Sequence, residues 1–301
     1  MAALLADEAA AEPVSSLTPK TPHFPARAKR VIFLFLHGGV SHVDTFDPKP
    51  ELAKRNGQPL PFAKPKFEFA PTGNLLASPW KFKPYGQSGV PVSDLFPQLG
   101  SVIDDVCIIR SMSGGNEVSH GPACLRLNTG DGVFNRPSLG AWTLYGLGTE
   151  NRDLPGFISL TPSLYHGGAQ NYGSAFLPAS FQGTHIGDGS SEFPKGAALA
   201  NVIPADDRSA QRLQLDLLAQ ANRDHLERVG ADARLEARME AFETAFRMQS
   251  AAPTVFDISR ETQETLRLYG VGDGPTDEYG RQCLLARRLV EAGVRFVQVN
   301  H

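Results

Sequence analysis

RVIFLFLHGG, residues 30–39, is an apolar run closed by a histidine and two glycines. A run without polar alternation reads as a strand buried on both faces, the kind found in parallel sheets covered by helices. The glycines suit a tight turn at its carboxyl end. The rest of the chain repeats this logic. HGPACLRLNTG (120–130) starts a helix behind a second expected buried strand, DDVCIIRSM (104–112), and RPSLGAWTLYGLG (136–148) is a helix with Pro137 in its first turn. LPGFISLTP (154–162) is a third strand, and DEYGRQCLLARRLVEAGVRFVQVNH (277–301) is a helix ended by Gly293 and followed by an apolar strand. Strands alternating with helices predict an α/β fold, a mostly parallel central sheet with helices on both faces.

Between these elements the pattern is weaker. Residues 48–92, with many prolines and Lys49, Lys54, Lys64 and Lys66, read as an irregular excursion. Ser93-Asp94 should cap a helix carrying Leu95, Phe96, Leu99, Val102 and Ile103. Residues 162–205 offer short strands or an ordered loop. Over 206–249, Leu213, Leu217, Leu218 and Leu226, then Leu235, Met239, Phe242 and Phe246, recur at helical spacing, predicting two amphipathic helices split at Gly230 with this stripe in the core. Residues 1–26 carry Pro13, Pro19, Pro22 and Pro25 and no periodic apolar face. They read as a disordered leader or the remnant of an export signal, which would make the protein periplasmic or exported, ahead of one domain over 27–301.

Composition narrows the function. The 301 residues are 41% hydrophobic, and 29 Lys+Arg against 32 Asp+Glu leave a charge of −3, which speaks against tracking nucleic acid or an acidic membrane. No apolar run approaches the roughly 20 residues of a membrane span. Cys107, Cys124 and Cys283 are too scattered for a disulfide framework or a thiolate zinc site and read as small buried hydrophobes.

Chemistry concentrates after the first strand. LHGGVSHVDTFDP (36–48) places His37, Ser41, His42, Asp44 and Asp47 in one loop, and imidazoles with carboxylates are ligands for zinc or a similar divalent ion. His37, His42 and Asp44 are the candidate metal ligands; Asp47, before Pro48, is a turn residue. The glycine pair lacks the Lys-Ser/Thr of a phosphate loop, and Ser41-His42 lacks the G-x-S-x-G frame of a hydrolase. His120, at the mouth of its helix, is either an anion or metal contact or a cap. Both His37 and His120 follow parallel strands, so they should approach one another at the carboxyl edge of the sheet.

Together RVIFLFLHGGVSHVDTFDPKPEL, VSDLFPQL, NTGDG, RPSLGAWTLYGLG, LPGFISLTP, FRMQSAAP and GRQCLLARRLVEAGVRFVQV resemble the DUF1501 family, from about residue 27 to the last. The resemblance implies a sulfatase-like protein of the alkaline phosphatase superfamily. It implies a metal-dependent hydrolase of sulfate or phosphate esters carried on a small molecule or polysaccharide, the alternative being a non-catalytic binding or scaffold relative. Against the sulfatase motif, Pro122 and Thr129-Gly130 match, His120 takes the nucleophile's place and Cys124 that of the arginine, for which Arg126 is the substitute. An imidazole cannot become the hydrated aldehyde of sulfatases, so His120 acts otherwise. The resemblance places further metal ligands beyond His301, which predicts a chain poor in metal and activity, with VRFVQV left exposed.

Overall fold

The computed structural model describes residues 17–66, 70–115, 117, 119–163, 165–187 and 207–301. Where the sequence draws one domain over 27–301, the chain divides into two compact units, Met1–His37 with Gly114–His301, and Gly38–Ser113. The described strands are β1 (Val31–Phe35), β2 (Phe82–Tyr85), β3 (Val90–Ser93), β4 (Phe157–Leu160), β5 (Thr184–Ile186) and β6 (Phe296–Asn300). The described α-helices are α1 (His42–Thr45), α2 (Pro50–Lys54), α3 (Pro97–Gly100), α4 (His120–Thr129), α5 (Leu139–Leu147), α6 (Arg208–Val229), α7 (Ala233–Phe256), α8 (Gln263–Leu268) and α9 (Asp277–Glu291).

The first unit is α/β, with a parallel four-stranded sheet in the order β1-β6-β4-β5 flanked by helices. Side chains alternate across it. Ile158, Leu160, Val297 and Val299 pack on one face with Ala252 and Phe256 of α7 and Leu285, Ala286 and Leu289 of α9. Phe157 and Phe296, paired in register, meet Ala141 and Leu144 of α5 on the other. Ser159, Gln298 and Asn300 continue that second face toward the strand ends and are also buried. A polar row inside a sheet needs partners, and these prove central to the site.

Two expectations about strands are corrected. Among the described strands β1 lies at the sheet edge, with Val31, Ile32 and Leu34 exposed and only Phe35 buried, because it has a neighbour there on one side only. The run VRFVQV is the reverse: β6 sits between β1 and β4 with all five residues buried. A continuous apolar run marks a buried strand without saying which of two is central.

The α6 and α7 helices break near Gly230 as expected, but the apolar stripe is not core. Leu213, Leu217, Leu218 and Phe242 are exposed, Leu226, Leu235, Met239 and Phe246 are half-buried, and α6, which packs on α7, buries none of its residues. Of the expected leader, residues 1–16 lie outside the described residues, as do 164 and 188–205 of the segment 162–205. Leu17 packs against the Ala141–Phe296 cluster; its carbonyl accepts from Thr149 N (2.8 Å), and Lys20 N donates to the Leu147 carbonyl (3.1 Å). Pro137 precedes Ser138, the N-cap of α5, rather than lying within its first turn.

In the second unit β2 and β3 form an antiparallel hairpin and α2 a short helix, within the stretch read as irregular. The hairpin was hidden because Pro84 and Pro91 face each other across it. The helix expected after Asp94 is only α3. DDVCIIRSM begins inside a 3-10 turn, Ile103–Asp105, and then makes no strand, with Cys107, Ile109 and Met112 exposed. An apolar run becomes a strand only where another strand pairs with it. Cys124 is buried as expected, and Cys283 is half-buried. No described helix is long and apolar enough to cross a membrane.

Candidate functional site

The parallel ladder runs past the end of β1, where His37 N donates to the His301 carbonyl (2.5 Å) and His301 N donates to the Phe35 carbonyl (3.1 Å). His37 is thereby fixed at the carboxyl edge of the sheet. His120 is the first residue of α4, behind Ser119, so it is not the cap itself. The helix closes at Gly130 in the left-handed region (φ 85°). The two imidazoles do approach: their ring centres are 6.4 Å apart.

A third imidazole joins them. His166, in the loop after β4, has its ring centre 4.5 Å from that of His37 and 5.3 Å from that of His120. Ser163 Oγ accepts from the His166 amide (3.3 Å), and Asn171 Nδ2 donates to the His166 carbonyl (2.6 Å). The sequence reading passed over His166, although a signal was present. YHGG (165–168) repeats the LHGG (36–39) that closes β1, and all four glycines have positive φ.

His37 and His120 are exposed and His166 half-buried, so the cluster is open to a ligand. His166 Nδ1 is buried without a hydrogen-bond partner, a costly state for a ring nitrogen. Desolvation, followed by the charges of His166 and His120, holds His37 below the ordinary histidine pKa. Its exposed face screens the effect, yet the direction favours the neutral imidazole that a metal requires.

Imidazoles on a tetrahedral ion, at metal–nitrogen distances of about 2.0–2.1 Å, have ring centres about 5 Å apart. The three observed separations lie on both sides of that value. No donor group arranged to hold an ion stands among the described residues. Ring spacing is the better guide to fit, because an imidazole turns about its terminal torsion with little displacement of its centre.

The remaining candidates belong to the second unit or are engaged. Arg126, the expected anion-binding arginine, is ion-paired with Glu117. Cys124 is buried and its thiol pKa raised by burial, an inert position. His42 and Asp44 belong to the second unit, on α1. There the Ser41 and Ser78 hydroxyls hold the Asp44 carboxyl below its usual pKa. Asp47 pairs with Lys49 (2.6 Å).

The family described as "Protein of unknown function (DUF1501)" matches residues 28–301. Comparison with curated proteins finds no match, and neither does comparison with solved structures.

Proposed function

The chain belongs to the DUF1501 family, and from that premise we propose that it is a sulfatase-like, metal-dependent hydrolase of the alkaline phosphatase superfamily. It acts on sulfate or phosphate esters of a small molecule or polysaccharide through His37, His120 and His166. The observation that carries this reading is the grouping of three imidazoles, from three separate parts of the chain, on one open spot. His37, His120 and His166 would hold a divalent ion, and the chemistry such an ion would supply is Lewis-acid polarisation of the ester. His37 and His166 offer ring nitrogens from the loops that follow two strands. His120 offers another from the first turn of α4, where free N–H groups and the helix dipole favour the anionic head of the ester. Of the ligand set expected from sequence, His37 and His120 enter this proposal, and His166 is added to them.

The second reading, a non-catalytic binding relative, is favoured by Arg126 being committed to Glu117. Turnover of aryl sulfate and aryl phosphate by protein supplied with zinc or manganese separates the two. Activity abolished by a chelator and reduced at least about 100-fold in His166→Ala supports hydrolysis, since even residues that merely support ligands cost about 10–100-fold. Binding of the ion and of sulfate or phosphate without turnover establishes the second reading. Equal turnover in the His37→Ala, His120→Ala and His166→Ala proteins refutes the site.

A further inference from the structure

We infer that Asn171 is a positioning residue for His166, the last link of a buried amide chain running from the central strand to the imidazole cluster. The inference rests on reading that cluster as a ligand-holding centre. On β6, Gln298 Nε2 donates to Asn300 Oδ1 (2.8 Å) and to Asn128 Oδ1 of α4 (2.9 Å). Asn128 Nδ2 donates to the Cys124 carbonyl (2.9 Å) and, at 3.5 Å, to Asn171 Oδ1. Asn171 Nδ2 then donates to the His166 carbonyl (2.6 Å). In the other direction Asn300 Nδ2 donates to Ser159 Oγ (3.1 Å) and the Leu160 carbonyl (2.6 Å). All four amide side chains are buried.

The chain has a direction. Turning the Asn171 amide over would set its oxygen against the His166 carbonyl and its NH₂ against that of Asn128. Turning Asn128 over would set its NH₂ against that of Gln298. Each reversal leaves buried groups unpaired, so neighbours fix every amide. Gly167 makes room for the last link, since a Cβ there would lie 2.7 Å from Asn171 Oδ1.

The other end of the His166 loop is clamped to the same place. Thr161, at the end of β4, holds φ at 46°, an unfavourable value for a β-branched residue. Its N–H donates to the Ile186 carbonyl and its hydroxyl to the Asn300 carbonyl, both at 2.8 Å. A network serving only the core could end at Asn128. This one ends on the residue that carries the third imidazole.

The test is the rate at which diethyl pyrocarbonate modifies His166, measured by peptide mass spectrometry relative to His225, which is exposed on α6. Asn171→Ala should raise the His166/His225 ratio several-fold. Asn171→Leu, which keeps about the same volume, adds no charge and removes the amide donor and acceptor, should do the same if the alanine protein folds poorly. Leu289→Ala, in the core on the opposite face of the sheet, destabilises the fold and should leave the ratio unchanged. An unchanged ratio in both Asn171 variants, or an equal rise in Leu289→Ala, overturns the inference. In parallel, cobalt(II) affinity should fall about 10–100-fold in the Asn171 variants. If the unaltered protein takes up no cobalt, the proposed function falls while the modification ratio still decides the role of Asn171.

Discussion

Gly140→Ala sets two effects of opposite sign against each other inside α5. Alanine is the better helix former by about 1 kcal/mol, and Gly140 does not have the positive φ that would forbid it. A Cβ at this position, however, would lie 2.5 Å from a ring carbon of Phe157. Ordinary carbon contacts begin near about 3.5 Å. Phe157 is fully buried, and Gly183 also approaches it so closely that a Cβ there would lie 2.7 Å from the same ring carbon. With no free space to move into, the ring must leave its rotamer or push the sheet, at a cost of about 1–3 kcal/mol. The account therefore predicts net destabilisation of up to about 2 kcal/mol. Trp142, two residues further along α5, reports unfolding by fluorescence in urea, in a Trp80→Phe background that removes the other tryptophan. In Phe157→Leu the smaller side chain should turn the Gly140→Ala change favourable, a coupling of about 1–3 kcal/mol. A single Gly140→Ala protein more stable than its parent by the full helix preference would refute the packing argument.

Glu261 accepts from both Arg287 and Arg288 (2.6 Å each), and these guanidinium groups hold its carboxyl below the ordinary glutamate pKa. Because the unfolded chain then binds the proton more readily, this stabilisation is complete above the ordinary glutamate range and lost as pH falls through the lowered value. Urea midpoints between pH 7 and pH 3 should fall less steeply in Glu261→Gln. Thr161→Gly relieves about 1–3 kcal/mol of backbone strain and loses a hydroxyl bond of about 1 kcal/mol. Thr161→Val keeps the strain and loses the bond, so calorimetry should find the valine protein clearly the less stable of the two. Arg212 of α6 is bidentate to Glu243 of α7 (2.7 and 2.9 Å). Since α6 buries no residue, Glu243→Gln should speed limited proteolysis within α6 while leaving cleavage elsewhere unchanged.

Three continuous apolar runs were legible in the sequence, whereas DDVCIIRSM was misread as a strand. The apolar run before His37, FISL at 157–160 and VRFVQV all became parallel strands, and Gly230 and Gly293 marked breaks that the structure contains. Their order in the sheet was not legible, because burial of β6 and exposure of β1 follow from which strands pair with them. The β2–β3 hairpin was hidden by its prolines. The apolar stripe on α6 carries the period of a core helix whether or not a core lies against it. His37 and His120 were found because each stands at the end or start of an element. His166 escaped because its loop follows no period, and only the repeated His-Gly-Gly marks it. The buried amides were invisible for a related reason: Asn128, Asn171, Gln298 and Asn300 look like surface residues until the strands and α4 bring them together.

The most direct measurement of the central claim is the stoichiometry and affinity of divalent-ion binding, by calorimetric titration of the metal-free protein with zinc. In place of the metal-poor chain that the family resemblance implies, the account predicts about one ion per chain, with affinity reduced at least about 100-fold in each of His37→Ala, His120→Ala and His166→Ala, more than changes to supporting residues bring, and unchanged in His225→Ala. Affinity in His166→Ala equal to that of the unaltered protein would contradict it.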